Sequence, residues 1–264
     1  MRGQLATVWN YRHFWLSLAG MDLRVRYRRS ILGIGWSLLH PIVMTVVFCV
    51  AFASWLGNGD WRSAAPFYLC GLAVWEFIKQ SAVQGSLTFA RNEAYIRQSP
   101  LPLAVYTLRT VLGTATHFFI AITLAILAAS ILNHEDFITP FRAIGAMLPA
   151  MALLVLFGWA VTTLFATANV FFHDTQHLAE VGFGIGFFLT PIIYPKERLV
   201  ERGLGFVSDF NPVGIFLDVI RDPILTGQIP SMIAFERAFG LTVVAVALAL
   251  VVLSRCERRV IFHL

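Results

Sequence analysis

Residues 30–59 of the chain read SILGIGWSLLHPIVMTVVFCVAFASWLGNG and contain no Asp, Glu, Lys or Arg. A helix needs about 20 mostly apolar residues to cross the hydrocarbon core of a bilayer. The stretch therefore predicts a first membrane span, roughly from Ile31 to Trp55. Residues 143–173 are equally free of these charged residues and predict a further span.

Four more apolar segments bring the predicted number of spans to six. Two of these segments carry charges: Glu76 and Lys79 lie in the second span, and Arg109 lies near the start of the third. The spans after the first are predicted, in chain order, at Pro66–Phe89, Leu103–Leu132, within Ala143–His173, at the short Leu178–Tyr194, and at Ile233–Ser254. We therefore predict an all-α integral membrane protein with both termini on one side of the membrane.

The composition supports a membrane protein and excludes other classes. Hydrophobic residues make up 58% of the 264 residues and charged residues only 13%, whereas soluble domains are about half apolar and a quarter charged. This excludes a soluble enzyme or a disordered linker, and we interpret residues 1–264 as one membrane domain. The net charge of +5 is typical of a basic cytoplasmic face, and nucleic acid is not expected as a partner.

Arginine is distributed unevenly between the predicted loops. The N-terminal segment, the loop with Arg91 and Arg97, and the C-terminus are rich in Arg, whereas most loop acids fall on the other side. Because Lys and Arg favour the cytoplasmic side, we predict that both termini are cytoplasmic. Within residues 1–29, apolar residues recur at helical spacing beside Trp and Arg, which predicts an amphipathic helix in the membrane interface; a frayed basic tail is the alternative.

Residues 195–230, between spans five and six, are predicted to form a periplasmic, re-entrant segment. The segment is too long for a turn and too apolar for a free loop, and Asn211-Pro212 and Asp222-Pro223 interrupt it. Two short helices that enter the outer leaflet without crossing it fit this pattern. Irregular backbone at membrane depth must be covered by protein or line a water-filled cavity, so we expect this segment and spans one and five to line a transport route.

The residue patterns of ATP hydrolysis and of metal binding are missing. The lysines Lys79 and Lys196 do not follow a glycine, so the chain has no G-x-x-x-x-G-K-[ST] phosphate cradle. His173 and His177 are four residues apart, but a zinc site needs a third ligand. We therefore predict no catalytic residue, no metal site and no cofactor bound by this chain.

Several aromatic residues lie inside spans one and five. Aromatic rings stack on the C–H faces of sugar rings, which suits a route for a polysaccharide. The candidate residues for such a glycan path are Phe48, Phe52, Phe187, Phe188 and Tyr194. Ordinary packing in the core or against lipid is the alternative for these rings. Glu76 and Lys79 likewise fit either a buried ion pair or the wall of a hydrated pathway.

Three groups of motifs occur in order along the chain. The first is Asp22-Leu23-x-x-Arg26-Tyr27-x-x-Ser30-x-Leu32-Gly33-x-x-Trp36, with Pro41 after it. The second is Asn92-Glu93-x-Tyr95-Ile96-Arg97 with Pro100-Leu101-Pro102, and the third is Leu189-Thr190-Pro191-Ile192-Ile193-Tyr194-Pro195 with Asn211-Pro212. This ordered set resembles the ABC-2 type polysaccharide export permeases, above all the Wzm-type O-antigen exporters and then the teichoic-acid and capsule permeases.

The resemblance implies a function and a set of partners. In that family two permease copies form a channel in the bacterial inner membrane, and two separate ATPase subunits bind ATP and Mg²⁺ and drive it. The resemblance implies a glycan on undecaprenyl diphosphate that crosses from the cytoplasmic to the outer leaflet. His173 stands where relatives often have Arg before Asp174, so no basic role is carried over to that position.

The loop between spans two and three is expected to contact the ATPase. Residues 91–99 are predicted to be helical up to Pro100, which cannot continue a helix, and residues four apart lie on one helix face. The predicted coupling residues are Asn92, Glu93, Tyr95 and Arg97. An ordinary surface loop is the alternative.

Two other functional classes stay open. One is an ABC-2 exporter of drugs or of a non-glycan lipid. The other is a membrane-embedded transferase for polyprenyl-linked sugars, with His134, Glu135 or Asp136 as acid or base. A transferase would need converging carboxylates or a metal-binding motif such as DxD, and the chain has neither pattern.

Overall fold

The computed structural model describes residues 33–56, 59–98, 101–132 and 144–263, together with positions 15, 20, 21, 30, 138 and 141. Within these residues all regular structure is helical, as predicted. Most of the interfacial helix predicted in residues 1–29 lies outside the described residues. The same holds for His134, Glu135 and Asp136.

The long helices follow the predicted spans to within a few residues at most ends. In chain order the helices are α1 (Trp36–Phe52), α2 (Trp61–Ser86), α3 (Thr88–Arg91), α4 (Glu93–Gln98), α5 (Ala104–Leu132), α6 (Ile144–Phe171), α7 (Thr175–Leu189), α8 (Glu197–Glu201), α9 (Gly205–Phe210), α10 (Pro212–Thr226) and α11 (Met232–His263). Short 3-10 turns at Gly33–Gly35 and Ala53–Leu56 flank α1.

Three helices in the described part of the chain are long and apolar enough to cross a membrane. They are Ala104–Leu132, Ile144–Phe171 and, within α11, Met232–Glu257. Helix α1 is apolar but has 17 residues, and α7 has 15. Helix α2 has 26 residues but includes Glu76 and Lys79. The described residues are thus all-helical, and three of their helices are long and apolar enough to cross a membrane.

Polar side chains determine where two helices begin. Asp60 accepts a hydrogen bond from the Arg62 backbone N–H at 3.0 Å, so α2 starts before the predicted Pro66, because a capped N-terminus satisfies otherwise unpaired donors. Asn211 accepts in the same way from Val213 at 2.9 Å and begins α10.

The expected interruption at Asp222-Pro223 is wrong. Pro223 lies inside the last turn of α10, which continues to Thr226 and ends at Gly227 with a φ of 69°. A proline removes one backbone donor and one hydrogen bond of the helix, and near the end of a helix few further bonds depend on it. The segment therefore has two interior breaks, at residues 202–204 between α8 and α9 and at Asn211 between α9 and α10.

Helix α2 lies at the centre of the bundle and packs against α1, α5, α6, α7 and α10. Its contact with α6 is close because two glycines lie there. A Cβ built on Gly85 would be 2.9 Å from Thr162 Cα, and one built on Gly158 would be 2.5 Å from the Phe77 ring. Small residues let helix backbones approach in this way.

The connections gather at two ends of the bundle. At one end, Phe89 and Ile96 of the α2–α5 connection form a buried cluster with Leu253 and Val260 of α11. At the other end, Asp60 before α2, Leu132 of α5 and Leu225 of α10 line a common pocket. The arginine-rich connection and the C-terminal helix therefore share one end.

Candidate functional site

Aromatic rings from α1, α2 and α7 form one connected cluster. Phe48 is central: its ring centroid lies 6.0 Å from Phe52, 5.7 Å from Tyr68 and 6.0 Å from Phe187. Trp75 extends the group and lies 5.5 Å from Phe187. The aromatic cluster consists of Phe48, Phe52, Phe67, Tyr68, Trp75, Phe183, Phe187 and Phe188.

Tyrosine hydroxyls close two helix ends beside this cluster. Tyr68 donates to the Phe52 carbonyl at 3.0 Å, and Tyr194 donates to the Phe188 carbonyl at 2.7 Å. The last carbonyls of a helix lack partners within the helix, so both bonds satisfy groups that would otherwise need water. The Tyr194 hydroxyl therefore stabilises the C-terminal end of α7.

The cluster has a buried part and an exposed edge. Phe48 and Trp75 are buried, whereas Phe188, at the end of α7, is 68% exposed. Its ring lies 5.6 Å from Phe187, nearly perpendicular to it. Phe188 thus exposes an aromatic face to the surroundings while its ring packs against Phe187.

Four of the five residues proposed for the glycan path meet in the aromatic cluster, and Tyr194 adjoins it. Sequence reasoning missed Tyr68 and Trp75 of α2. Residues 66–75 of this helix are all buried, and their nearly continuous apolar sequence has no polar face that would indicate which rings turn towards α1 and α7.

The proposed coupling loop contains the short helix α4 with an exposed ion pair. Arg97 Nε lies 2.9 Å from Glu93 Oε1, as the four-residue spacing predicts. Tyr95 is exposed beside the pair, and Ile96 faces the opposite way into the buried cluster with Val260. The helix is therefore anchored on one side and offers polar groups on the other.

Asn92 faces inward, unlike its neighbours in the proposed coupling set. Its Oδ1 accepts from Arg109 Nη1 at 2.9 Å, and its Nδ2 donates to the Thr88 carbonyl at 2.7 Å. The Arg109 guanidinium also lies 5.9 Å from the Tyr95 ring centroid. Asn92 thus connects the loop to α5.

A cavity of about 790 Å³ lies between α1, α2, α3 and α5. Many of its lining residues are polar, and Glu76 is one of them. Glu76 Oε1 lies 3.2 Å from Lys79 Nζ and its Oε2 accepts from Gln80 at 3.3 Å. The Glu76–Lys79 pair is therefore formed, and Glu76 borders the cavity.

Arg221 of α10 is buried, with 4% of its surface exposed. Its guanidinium carbon lies 4.2 Å from the centroid of the Phe67 ring, and Nη1 donates to the Pro191 carbonyl at 2.7 Å. Arg221 therefore joins α10, α2 and the end of the proposed fifth span. The available sequence signal was an Arg among the mostly apolar residues from Val213 to Leu225.

We expect Arg221→Lys to lower the free energy of unfolding by about 1–2 kcal/mol, because an ammonium cannot cover the ring and reach the carbonyl with the same planar geometry. The midpoint of thermal unfolding in detergent measures this. Arg237→Lys is the control: Arg237 is exposed and lies 3.6 Å from Asp209, so its replacement should cost less than about 0.5 kcal/mol. Equal effects of the two replacements would contradict the assigned role of Arg221.

Lys196 holds two acidic side chains of the segment 195–230. Its Nζ lies 2.9 Å from Asp218 Oδ2 and 3.3 Å from Asp209 Oδ1. Burial alone would lower the pKa of Lys196, but hydrogen bonds and charge attraction from Asp218 and Asp209 outweigh it and raise the pKa. The stability that the raised pKa of Lys196 contributes is present below the ordinary pKa of 10.5 and is lost as the pH rises through the higher value.

The histidine pair at the start of α7 does not form part of a metal cluster in the described residues. His173 and His177 are exposed, and His177 Nδ1 lies 3.8 Å from Glu180 Oε2. Among the described residues, no three His, Cys, Asp or Glu side chains lie close enough to hold a metal ion.

Comparison with known proteins agrees with this architecture. Residues 14–225 match the family model described as ABC-2 type transporter. Two similar proteins of Klebsiella pneumoniae are both named O-antigen export system permease protein RfbA. One is 25% identical over 213 residues, which cover 80% of each chain, and the other is 24% identical over 243 residues, which cover 88% of each.

A Myxococcus xanthus protein with the same printed name is 25% identical over 209 residues, which cover 78% of each chain. The family match spans most of the chain, including α1 to α10 apart from the final residue of α10. The chain therefore belongs to the ABC-2 type transporter family.

Proposed function

We propose that this chain is the permease subunit of an ABC exporter that moves a lipid-linked, O-antigen-like polysaccharide across the bacterial inner membrane. One observation carries this proposal: the three O-antigen export permeases align with 78–88% of this chain and with the same share of their own lengths. The glycan would be carried on undecaprenyl diphosphate. Teichoic acid, capsule, or another lipid or drug is the alternative cargo of the same family.

The proposed assembly contains two copies of this chain and two ATPase subunits. Because the sequence has no phosphate cradle, ATP and Mg²⁺ would be bound by the ATPase subunits. The exposed face of α4 supports a contact with them: Glu93, Tyr95 and Arg97 point outward on a helix that the buried Ile96 anchors.

We propose six spans with both termini in the cytoplasm. The proposed cytoplasmic end contains the α2–α5 connection and the end of α11, with the exposed residues Arg91, Arg97, Arg255 and Arg259. Clustering of Arg at one end supports this orientation. Helices α9 and α10 would then form the re-entrant segment at the periplasmic end. Asp209 and Asp218, which pair with Lys196, lie in it.

The aromatic cluster supports a route for sugar along α1 and α7. Aromatic rings offer flat apolar faces without fixed hydrogen-bond requirements. The successive sugar rings of a polysaccharide can therefore pass over them. Phe188 supplies the exposed edge of this surface. In the proposed dimer, α1 and α7 of both copies would enclose the route.

We expect Phe188→Ala to lower glycan export about fivefold while the protein level stays near that of the wild type. The loss corresponds to an aromatic contact of about 1 kcal/mol, and the side chain is exposed enough that its removal leaves little buried cavity. The measurement is surface polysaccharide in a strain that lacks the gene and carries the variant on a plasmid, normalised to membrane-bound protein. Phe187→Ala and Tyr194→Ala should also reduce export, with a larger loss of protein.

Phe239→Ala is the matched control, because Phe239 is an exposed phenylalanine of α11 outside the aromatic cluster. Normal surface glycan in all three variants, at positions 187, 188 and 194, would reject their role in the path. Unchanged surface polysaccharide after deletion of the gene would reject the proposed function itself.

A further inference from the structure

We propose that the polar cavity between α1, α2, α3 and α5 binds the diphosphate–sugar head group of the lipid-linked substrate before translocation. This inference rests on the proposed function and names a loading site separate from the aromatic cluster. The volume of the cavity, about 790 Å³, lies in the range of small-molecule binding sites, about 300–1,000 Å³.

The cavity brings polar groups together in helices that are otherwise apolar. Besides Glu76, its wall includes Gln80 and Gln84 of α2, and Thr114 and His117 of α5. Ser37 of α1 lies 2.7 Å from His117 Nδ1. Polar side chains at membrane depth are costly unless they face the bundle interior or a hydrated cavity, and they mark substrate pathways. Helix packing alone does not require so many polar side chains around one cavity.

The end of the cavity nearest the α2–α5 connection carries two arginines. Arg91 and Arg109 both line it, as do Thr88 and Thr110, and Thr88 Oγ1 donates to Thr110 Oγ1 at 3.0 Å. Arg91 is held by Gln84 at 2.7 Å. Guanidinium groups bind phosphate oxygens through charge-assisted hydrogen bonds. Two guanidinium groups at this end of the cavity therefore suit the oxygens of a diphosphate.

The remaining wall has the side chains that recognise sugars. Carboxylate and amide groups from Glu76, Gln80 and Gln84 can bond sugar hydroxyls, and Trp36 adds an exposed aromatic face at the rim. A phosphate alone would not contact this remaining wall of the cavity. The arrangement therefore favours a diphosphate with its first sugar over a bare phosphate or an ordinary phospholipid head group.

Gly113 allows the cavity to be blocked without disturbing the helix. It lines the cavity, and a Cβ built on it meets no described atom within 4 Å. A leucine there would occupy cavity space and, in a helix, also has a higher propensity than glycine by roughly 0.8 kcal/mol. Gly240→Leu on α11 is the matched control, because Gly240 has equally open surroundings and lies outside the cavity.

The test uses the full-length chain with its ATPase in nanodiscs of phosphatidylcholine, without nucleotide. The probe is a radiolabelled polyprenyl diphosphate that carries one N-acetylhexosamine. We expect saturable binding that Gly113→Leu weakens at least tenfold while the unfolding temperature is unchanged or higher. Arg91→Gln should weaken binding about tenfold, the usual effect of losing one charge-assisted hydrogen bond. Gly240→Leu and Arg255→Gln should bind like the wild type.

Competition separates the possible sources of the same phosphate chemistry. Unlabelled probe should displace the label, whereas phosphatidylglycerol or inorganic pyrophosphate should require at least tenfold higher concentrations. Equal displacement by phosphatidylglycerol or by pyrophosphate would overturn the assignment, and so would wild-type binding by Gly113→Leu. If Gly113→Leu also exports normally while deletion of the gene abolishes export, this inference is wrong and the proposed function stands.

Discussion

Gly85→Val is expected to destabilise the protein by about 3 kcal/mol, close to the upper end of the usual cost of overpacking. The first added carbon would lie 2.9 Å from Thr162 Cα and 3.2 Å from Thr162 Oγ1. A backbone atom cannot rotate away, so α2 and α6 would have to separate. Separation would also strain the hydrogen bond from Thr162 Oγ1 to the Ser81 carbonyl, now 2.9 Å.

The measurement is the midpoint of thermal unfolding in detergent, with Gly113→Val as the control. Gly113 lies within α5, so the change in helix propensity is matched, but no described atom lies near its added Cβ. Gly85→Ala should show about half the loss of Gly85→Val. Equal unfolding midpoints for Gly85→Val and Gly113→Val would show that the α2–α6 contact is looser than described.

The double variant Glu93→Arg with Arg97→Glu is expected to abolish most ATPase stimulation by substrate, or to dissociate the ATPase from the permease. The exchange keeps an ion pair at the same spacing and reverses its polarity towards the partner. An exposed pair of this kind contributes only about 0.3–0.5 kcal/mol to the helix. Reversal against the helix dipole costs a similar few tenths, so the fold should survive.

Copurification and ATP hydrolysis by the purified complex measure this effect. The control variant Glu93→Gln with Arg97→Gln removes the pair without reversing either charge. If helix stability alone matters, the neutral variant should be impaired at least as much as the exchanged one. An exchanged variant that exports and hydrolyses ATP like the wild type would disprove docking through α4.

Much of the fold could be predicted because the apolar runs of this chain are long and the boundary residues have simple roles. The start of α10 follows from Asn211 and Pro212, an N-cap residue followed by a residue with a suitable fixed φ. The end of α11 could not be placed in the same way. Its helix continues beyond the predicted Ser254 to His263, because arginines are good helix formers and are soluble outside the membrane.

The candidate sites were harder to predict than the fold, because they depend more on tertiary contacts. The pairing of Glu93 with Arg97 is local and could be anticipated. The bond between Asn92 and Arg109 joins residues 17 positions apart, and the bond between Arg221 and Pro191 joins residues 30 apart. No periodicity encodes such contacts, so the inward orientation of Asn92 and the burial of Arg221 became visible only when the helices were assembled.

Helix α11 can transmit movement between the two ends of the bundle because it reaches both of them. It contains 32 residues and no proline, which gives a rod of about 48 Å, whereas the hydrocarbon core is about 30 Å thick. Near its start Arg237 lies 3.6 Å from Asp209, and near its end Val260 packs in one cluster with Ile96 of α4. Tilting such a rod by about 10° around its middle moves each end by roughly 4 Å in opposite directions. A displacement of α4 would thus be transmitted through α11 to residues 195–230.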